Sequence, residues 1–306
     1  MKILFGVDGS HCSKEAIATA LTMRCPAGTE LMVVSAVEFL EPLPSLEGVK
    51  KRELEEAEKL VHQVVQQLRD THPHAVVTGA VRDGFVYEEL LETCKEWQPD
   101  LIMLGSHGRT GISFLLSGSV SRAMLLEAPC AVRIIRARSE EHSKSDMNNV
   151  ILALDDNENS QTLIDHVLEF PWSEFTTFKC VHVVAEIHRG LLTEAEITGG
   201  KTLCDHYQDM VRSNVAWLEK ASQKLNNKFS KRVAKAEVLL GEPRQALLEM
   251  AKSWPADLIM MGSHGRRGID KAILGSVSEA VAMHAPCSVE VIRMRSLAKK
   301  KVHYIV

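Results

Sequence analysis

A chain of 306 residues is long for one core of ordinary size, so two domains of roughly 100 to 150 residues are the first expectation. With 45% hydrophobic, 25% charged and 5% aromatic residues, the composition is that of a soluble globular protein rather than a disordered or fibrous one. A net charge of -4 and a pI of about 6.4 offer no global positive field, which argues against nucleic acid and membrane surfaces as partners.

In chain order, the opening run Ile3-Leu4-Phe5-Gly6-Val7-Asp8 reads as a short buried strand closed by an acid. No secretion signal is visible there, and no later segment approaches the roughly 20 apolar residues that a membrane helix needs. Further apolar runs at Leu31 to Val37, Ala75 to Val81, Leu101 to Leu104 and Ala131 to Ile135 alternate with longer, polar-faced segments that read as helices. Ala137 to Asn149 is polar and aperiodic, as a linker is. A second strand of the first kind, Val150-Ile151-Leu152-Ala153-Leu154-Asp155, follows it. The expected organisation is a domain at 1–138, a linker at 139–148, a second domain at 149–295 and a tail at 296–306 carrying Lys299-Lys300-Lys301. Alternating strands and helices imply, in each half, a doubly wound five-stranded parallel α/β sheet, Rossmann-like, with ligands at the carboxyl ends of the strands.

An internal repeat supports this division. Gly105 to Arg138 aligns without gaps to Gly262 to Arg295, with 19 of 34 positions identical. The shared core reads GSHGRTGISFLLSGSVS in the first copy and GSHGRRGIDKAILGSVS in the second. Both continue through Ala-Pro-Cys into an apolar run ending in Arg. Cys130 and Cys287 in that segment read as small buried thiols. The seven cysteines form no CxxC pair, so neither a disulfide framework nor a zinc site is signalled and a reducing cytoplasm fits.

Gly105, Gly108 and Gly118-Ser119, repeated as Gly262, Gly265 and Gly275-Ser276, follow a buried strand and lead into helical spacing. Glycines are expected where a backbone turns with positive φ or closely approaches a ligand. Ser119 and Ser276 are read as N-caps of helices whose free N–H groups and positive dipole ends favour a phosphate. His107, Arg109, His264 and Arg266 sit in the same loops, where they could reach phosphate oxygens or simply be solvated.

The G-x2-G-x9-G-[S/T] spacing after a buried strand, with an acid closing the first strand, resembles the ATP-binding pattern of the universal stress protein family. The resemblance covers nearly the whole chain in two copies and implies an adenine nucleotide alpha hydrolase-like fold. It implies that Gly6, Val7, Asp8, Ala36, Leu104, Gly105, Gly108, Gly118, Ser119 and Val120 surround one nucleotide. Ala153, Leu154, Asp155, Val183, Met261, Gly262, Gly265, Gly275, Ser276 and Val277 would surround a second, with Asp8 and Asp155 on the adenosine side. Two departures bear on this: Ala36 stands where a larger aliphatic commonly packs on adenine, and Asp156-Asn157 replace Gly9-Ser10.

The expected function is an ATP-binding, Mg²⁺-dependent stress-response or signalling protein acting through conformation or an unidentified protein partner. A slow ATP hydrolase or phosphotransferase, and a scaffold with vestigial sites, are the alternatives. No GxxxxGK[ST] loop and no metal-ligand spacing are found, so no catalytic or metal residue is assigned. The two last strands, Ala131 to Ile135 and Ser288 to Ile292, would leave open edges and are expected to pair the halves as an internal pseudo-dimer. A further homodimer of whole chains is compatible with this.

Overall fold

The computed structural model describes residues 1–38, 47–106, 118–136, 148–155, 158–184, 203–229, 233–263 and 274–293. The first half runs β1 (Lys2–Gly6), α1 (His11–Thr22), β2 (Glu30–Val37), α2 (Glu47–Thr71), β3 (Val76–Asp83), α3 (Val86–Trp97), β4 (Leu101–Gly105), α4 (Ser119–Glu127) and β5 (Ala131–Ile135). The second repeats it as β6 (Asn149–Ala153), α5 (Glu158–Glu169), β7 (Thr177–Val184), α6 (Leu203–Phe229), β8 (Ala234–Leu240), α7 (Pro243–Ser253), β9 (Leu258–Gly262), α8 (Ser276–His284) and β10 (Ser288–Ile292).

Local chemistry sets these elements. The Ser10 hydroxyl accepts the Ser13 N–H at 3.2 Å and starts α1. Pro243 opens α7, and the Glu242 carboxylate before it accepts the N–H groups of Arg244 and Gln245. In α2 the buried residues Ala57, Val61, Val64, Val65 and Leu68 recur at three and four positions, one apolar stripe along a charged helix.

The ten strands form one sheet in the order β3-β2-β1-β4-β5-β10-β9-β6-β7-β8. Pairing is parallel within each half, and β5 and β10 meet antiparallel between them. Each last strand therefore covers the other's edge. Strand residues alternate between two core layers: Ile3 and Phe5 enter one, Leu4 the other. Helices α1, α2, α5 and α6 cover the first layer, and α3, α4, α7 and α8 the second. Both layers run through both halves. Cys130 and Cys287 are buried, as expected. Among the described residues no helix is long and apolar enough to cross a membrane.

The acids expected to close the first strands lie two residues past them, because β1 stops at Gly6 and β6 at Ala153. One further ladder bond is made, from Val7 N–H to Val34 O at 2.9 Å and from Leu154 N–H to Val181 O at 2.8 Å. The next N–H turns away to a serine of the following helix: Asp8 to Ser13 Oγ and Asp155 to Ser160 Oγ.

At the β5–β10 seam Glu290 faces Arg133 in register. Both are sealed from solvent, at 0% and 1% exposure, with Nε and Oε2 2.5 Å apart. His166 Nε2 stands 2.7 Å from the other Glu290 oxygen. The Arg133 guanidinium lies over the Phe170 ring at 4.5 Å and near Trp172 at 5.7 Å. Burial alone would raise the Glu290 carboxyl, but the Arg133 charge and His166 reverse this and hold it down at about 2.

A depressed carboxylate stabilises the fold fully above its unfolded value of 4.5, and that contribution is lost as pH falls toward about 2. Glu290→Gln leaves Arg133 buried without its counter-charge and is expected to lower the unfolding free energy at pH 7 by roughly 3 kcal/mol. Urea denaturation across pH checks this: the gap from wild type narrows between pH 4.5 and about 2, and a constant gap contradicts it.

Candidate functional site

In each half the chain winds from its first strand to one side through the second and third, then returns to the other side for the fourth and fifth. The helices after β1 and β4 consequently lie in opposite layers and leave a crevice at the carboxyl ends of those two strands. Gly6 stands beside both Val34 and Leu104 there. In the second half Ala153 stands beside Val181 and Met261. The candidates Gly6, Val7, Asp8, Ala36, Leu104 and Gly105 are thereby brought to one edge, and Ala153, Leu154, Asp155, Val183, Met261 and Gly262 to the equivalent one. Val7, Leu104, Leu154 and Met261 are buried and floor the crevices, whereas Asp8 and Asp155 are half-buried.

The last helix of each half begins at the same edge. Ser121 Oγ donates to Gly105 O and Ser278 Oγ to Gly262 O, each at 2.8 Å, which ties the first turns of α4 and α8 to the ends of β4 and β9. In the second half the Gly275 N–H also reaches Ser263 O at 2.7 Å. His107, Gly108, Arg109, His264, Gly265 and Arg266, with Asp156-Asn157, lie outside the described residues.

Two expectations are corrected. Ser119 and Ser276 are not the N-caps: the caps are Gly118 and Gly275, in extended conformation, and the serines are the first helical residues. A glycine has no side chain to offer the helix, and no side-chain cap bond is made at either start. The leading N–H groups of α4 and α8 therefore receive no bond from a cap side chain, and Ser119 and Ser276 are exposed beside them.

The second correction concerns why glycines are needed. Gly118 has φ -64°, and the positive-φ glycines among the described residues are Gly9, Gly28 and Gly241. A Cβ on Gly105 would stand 2.7 Å from the Cys12 carbonyl carbon and 2.8 Å from Ser13 N, inside the first turn of α1. One on Gly118 would stand 2.8 Å from the Ser106 carbonyl oxygen. These two glycines admit the protein's own backbone.

Sequence reading missed the polar groups that hold the two acids. Ser13 and Ser160 accept from the N–H groups of Asp8 and Asp155 at 3.2 and 2.7 Å, and their equal spacing from those acids was the available signal. Asp8 Oδ1 in turn accepts the Ser10 N–H at 3.0 Å. The second half differs. Buried His182 donates from Nδ1 to Leu154 O at 2.8 Å and stands 3.4 Å from Asp155 Oδ1, with Trp217 edge-on to its ring. The residue at the corresponding place in β2, just before Ala36, is Ser35, also buried.

The model of the Universal stress protein family matches residues 1–136 and 147–293. The chain belongs to the universal stress protein family. Universal stress protein Mb2019 of Mycobacterium bovis is 26% identical over 326 residues, covering 95% of each chain. Universal stress protein A homolog 2 of Coxiella burnetii is 36% identical over 115 residues, covering 36% of this chain and 75% of its own. A universal stress protein from Archaeoglobus fulgidus superposes with a TM-score of 0.63 at 20% identity, covering 95% of this chain and 96% of that one, so the two share the fold. This universal stress protein has the repeat twice in one polypeptide.

Gly105→Ala drives a methyl group into the first turn of α1 and is expected to cost about 1 to 3 kcal/mol by overpacking. Chemical denaturation without any ligand measures it. Unchanged stability would return Gly105 to the role of a ligand-facing glycine.

Proposed function

We propose that this universal stress protein binds ATP with Mg²⁺ in each of its two crevices, and acts in the cytoplasm in stress response or signalling through nucleotide-dependent conformation or partner binding. Two domains at 1–138 and 149–295, joined by a linker at 139–148, are part of this reading. The observation that carries it is the uncapped start of α4 and of α8, each tied to the carboxyl end of a strand at a topological switch point. A helix start of this kind combines N–H donors with a positive dipole end, which suits a phosphate.

The residues fit an adenine nucleotide on chemical grounds. Ser119, Val120, Ser276 and Val277 would present N–H groups to phosphates. Ala36 or Val183 would line the base. Asp8 and Asp155, two residues past the first strands, would take the adenosine side. The bound Mg²⁺ would neutralise part of the triphosphate charge, a role the loop arginines Arg109 and Arg266 would share. The two sites are not alike, since His182 stands beside Asp155 and a buried serine takes its place in the first half. Nucleotide turnover is expected to be slow at most.

Gly118→Asp and Gly275→Asp confound ligand repulsion with strain, since at Gly118 any Cβ presses on Ser106 O. Ser119→Asp and Ser276→Asp are cleaner, because each side chain is exposed and an acid in the first helical turn favours the helix by about 0.3 to 1 kcal/mol. Calorimetric titration with Mg·ATP is expected to lose one of two binding events in each single variant and both in the double variant. Mass spectrometry of nucleotide released from freshly purified protein identifies the ligand. A folded double variant that binds ATP as wild type does would overturn the site.

A further inference from the structure

The seam between the halves contains two kinds of contact, and they differ in what they would permit. Its register places Val289 opposite Ile134 and Val291 opposite Val132, so a local two-fold axis passes between Arg133 and Glu290. These two residues are 157 apart in sequence, the same separation that aligns Gly105 with Gly262. They are equivalent positions of the repeat. The same holds for Arg122 of α4 and Glu279 of α8, also 157 apart and paired at 2.8 Å at the exposed rim. At both places the first half has arginine and the second has glutamate.

Arg136 and Arg293 behave otherwise. They too are equivalent in the repeat, but the residue is the same in both halves and one bond of each is reciprocal, to the equivalent carbonyls of Ala282 and Leu125. Arg136 donates to Cys287 O at 2.8 Å and Ala282 O at 2.6 Å, and Arg293 donates to Leu125 O at 2.6 Å and to Leu126 O. Burial lowers both guanidinium groups, Arg136 to about 10. The shared contact, to Ala282 O or Leu125 O, is to a backbone carbonyl and carries no preference between like and unlike halves.

A residue on a two-fold axis meets its own copy when identical halves pair. Two first halves in this register would bury Arg133 against Arg133 and set Arg122 against Arg122. Two second halves would bury Glu290 against Glu290. Two first halves would leave Arg133 with no counter-charge, and two second halves would set two buried carboxylates together with only the His166 of each half to offset them. The pocket is one-sided as well: His166, Phe170 and Trp172, which receive Arg133 and Glu290, all come from the second half.

We propose that the seam is charge-coded for unlike halves: Arg133 and Arg122 select a second half bearing Glu290 and Glu279, and pairing of like halves from two chains is excluded. Selection of this kind is a difference between partners, achieved by making the wrong one repulsive. It does not require the buried pair to add net stability, since well-packed apolar residues can replace such a pair without loss.

That distinction supplies the test, which needs no nucleotide and stands or falls apart from the ATP reading. Full-length Arg133→Met/Glu290→Met removes the code while keeping the seam apolar. Wild type and variant are unfolded, refolded over a concentration series and sized by light scattering after size exclusion. The variant is expected to refold with a several-fold larger, concentration-dependent fraction of chain-exchanged dimers and larger species. A mass distribution equal to wild type overturns the proposal. If the variant fails to refold, the rim pair decides: Arg122→Glu is expected to increase exchange and Arg122→Glu/Glu279→Arg to return it to the wild-type level. A double reversal no closer to wild type than the single variant overturns the proposal equally.

Discussion

An open sheet edge is a row of unpaired N–H and C=O groups, and covering it constrains everything built beside it. Here the edges left by β5 and β10 cover each other, and the consequence reaches well beyond three residue pairs. Ten strands become one sheet, and both apolar layers extend across the junction. The antiparallel sense of that one pairing also reverses the second half relative to the first. The carboxyl ends of β1 to β5 therefore point to one edge of the sheet and those of β6 to β10 to the other, so the two crevices open in opposite directions.

Within the first half a second constraint acts, the close approach of α1 to the end of β4. Gly105 has no Cβ because the first turn of α1 occupies that space. The start of α4 is fastened to the same strand end by Ser121. Glycine and serine in this loop serve the scaffold: Gly105 admits the first turn of α1, and Ser121 ties α4 to the end of β4.

Much of the fold was legible in the sequence because buried parallel strands are short apolar runs with little else to be, and because the repeat stated each of them twice. The positions of Asp8 and Asp155 beyond the strands were less legible, since an acid after an apolar run looks the same whether it ends the ladder or follows it. The cap was misplaced by one residue at Gly118 for a related reason: Ser is the better capping side chain, and only the backbone reveals that the glycine takes the place. His182 escaped because its partners, Leu154 and Asp155, are distant in sequence and no motif spacing links them. Arg133 and Glu290 escaped because reading a repeat for its identities passes over the positions where the copies disagree. The meaning of those differences lies in the fold's symmetry, which sequence similarity alone does not display.

The reciprocal arginines give α4 and α8 an unusual mechanical setting. Each helix has its first turn fastened to a strand end in its own half by Ser121 or Ser278, while carbonyls in or just past its last turn are gripped by an arginine from the opposite half. A rod held at both ends by different bodies transmits any tilt. From Ser121 to Leu125 or Leu126, and from Ser278 to Ala282, the helix bridges about 6 to 8 Å at 1.5 Å per residue. A tilt of either helix would therefore be felt at a strand end of one half and at an arginine of the other, so α4 and α8 join the halves at points away from the β5–β10 seam.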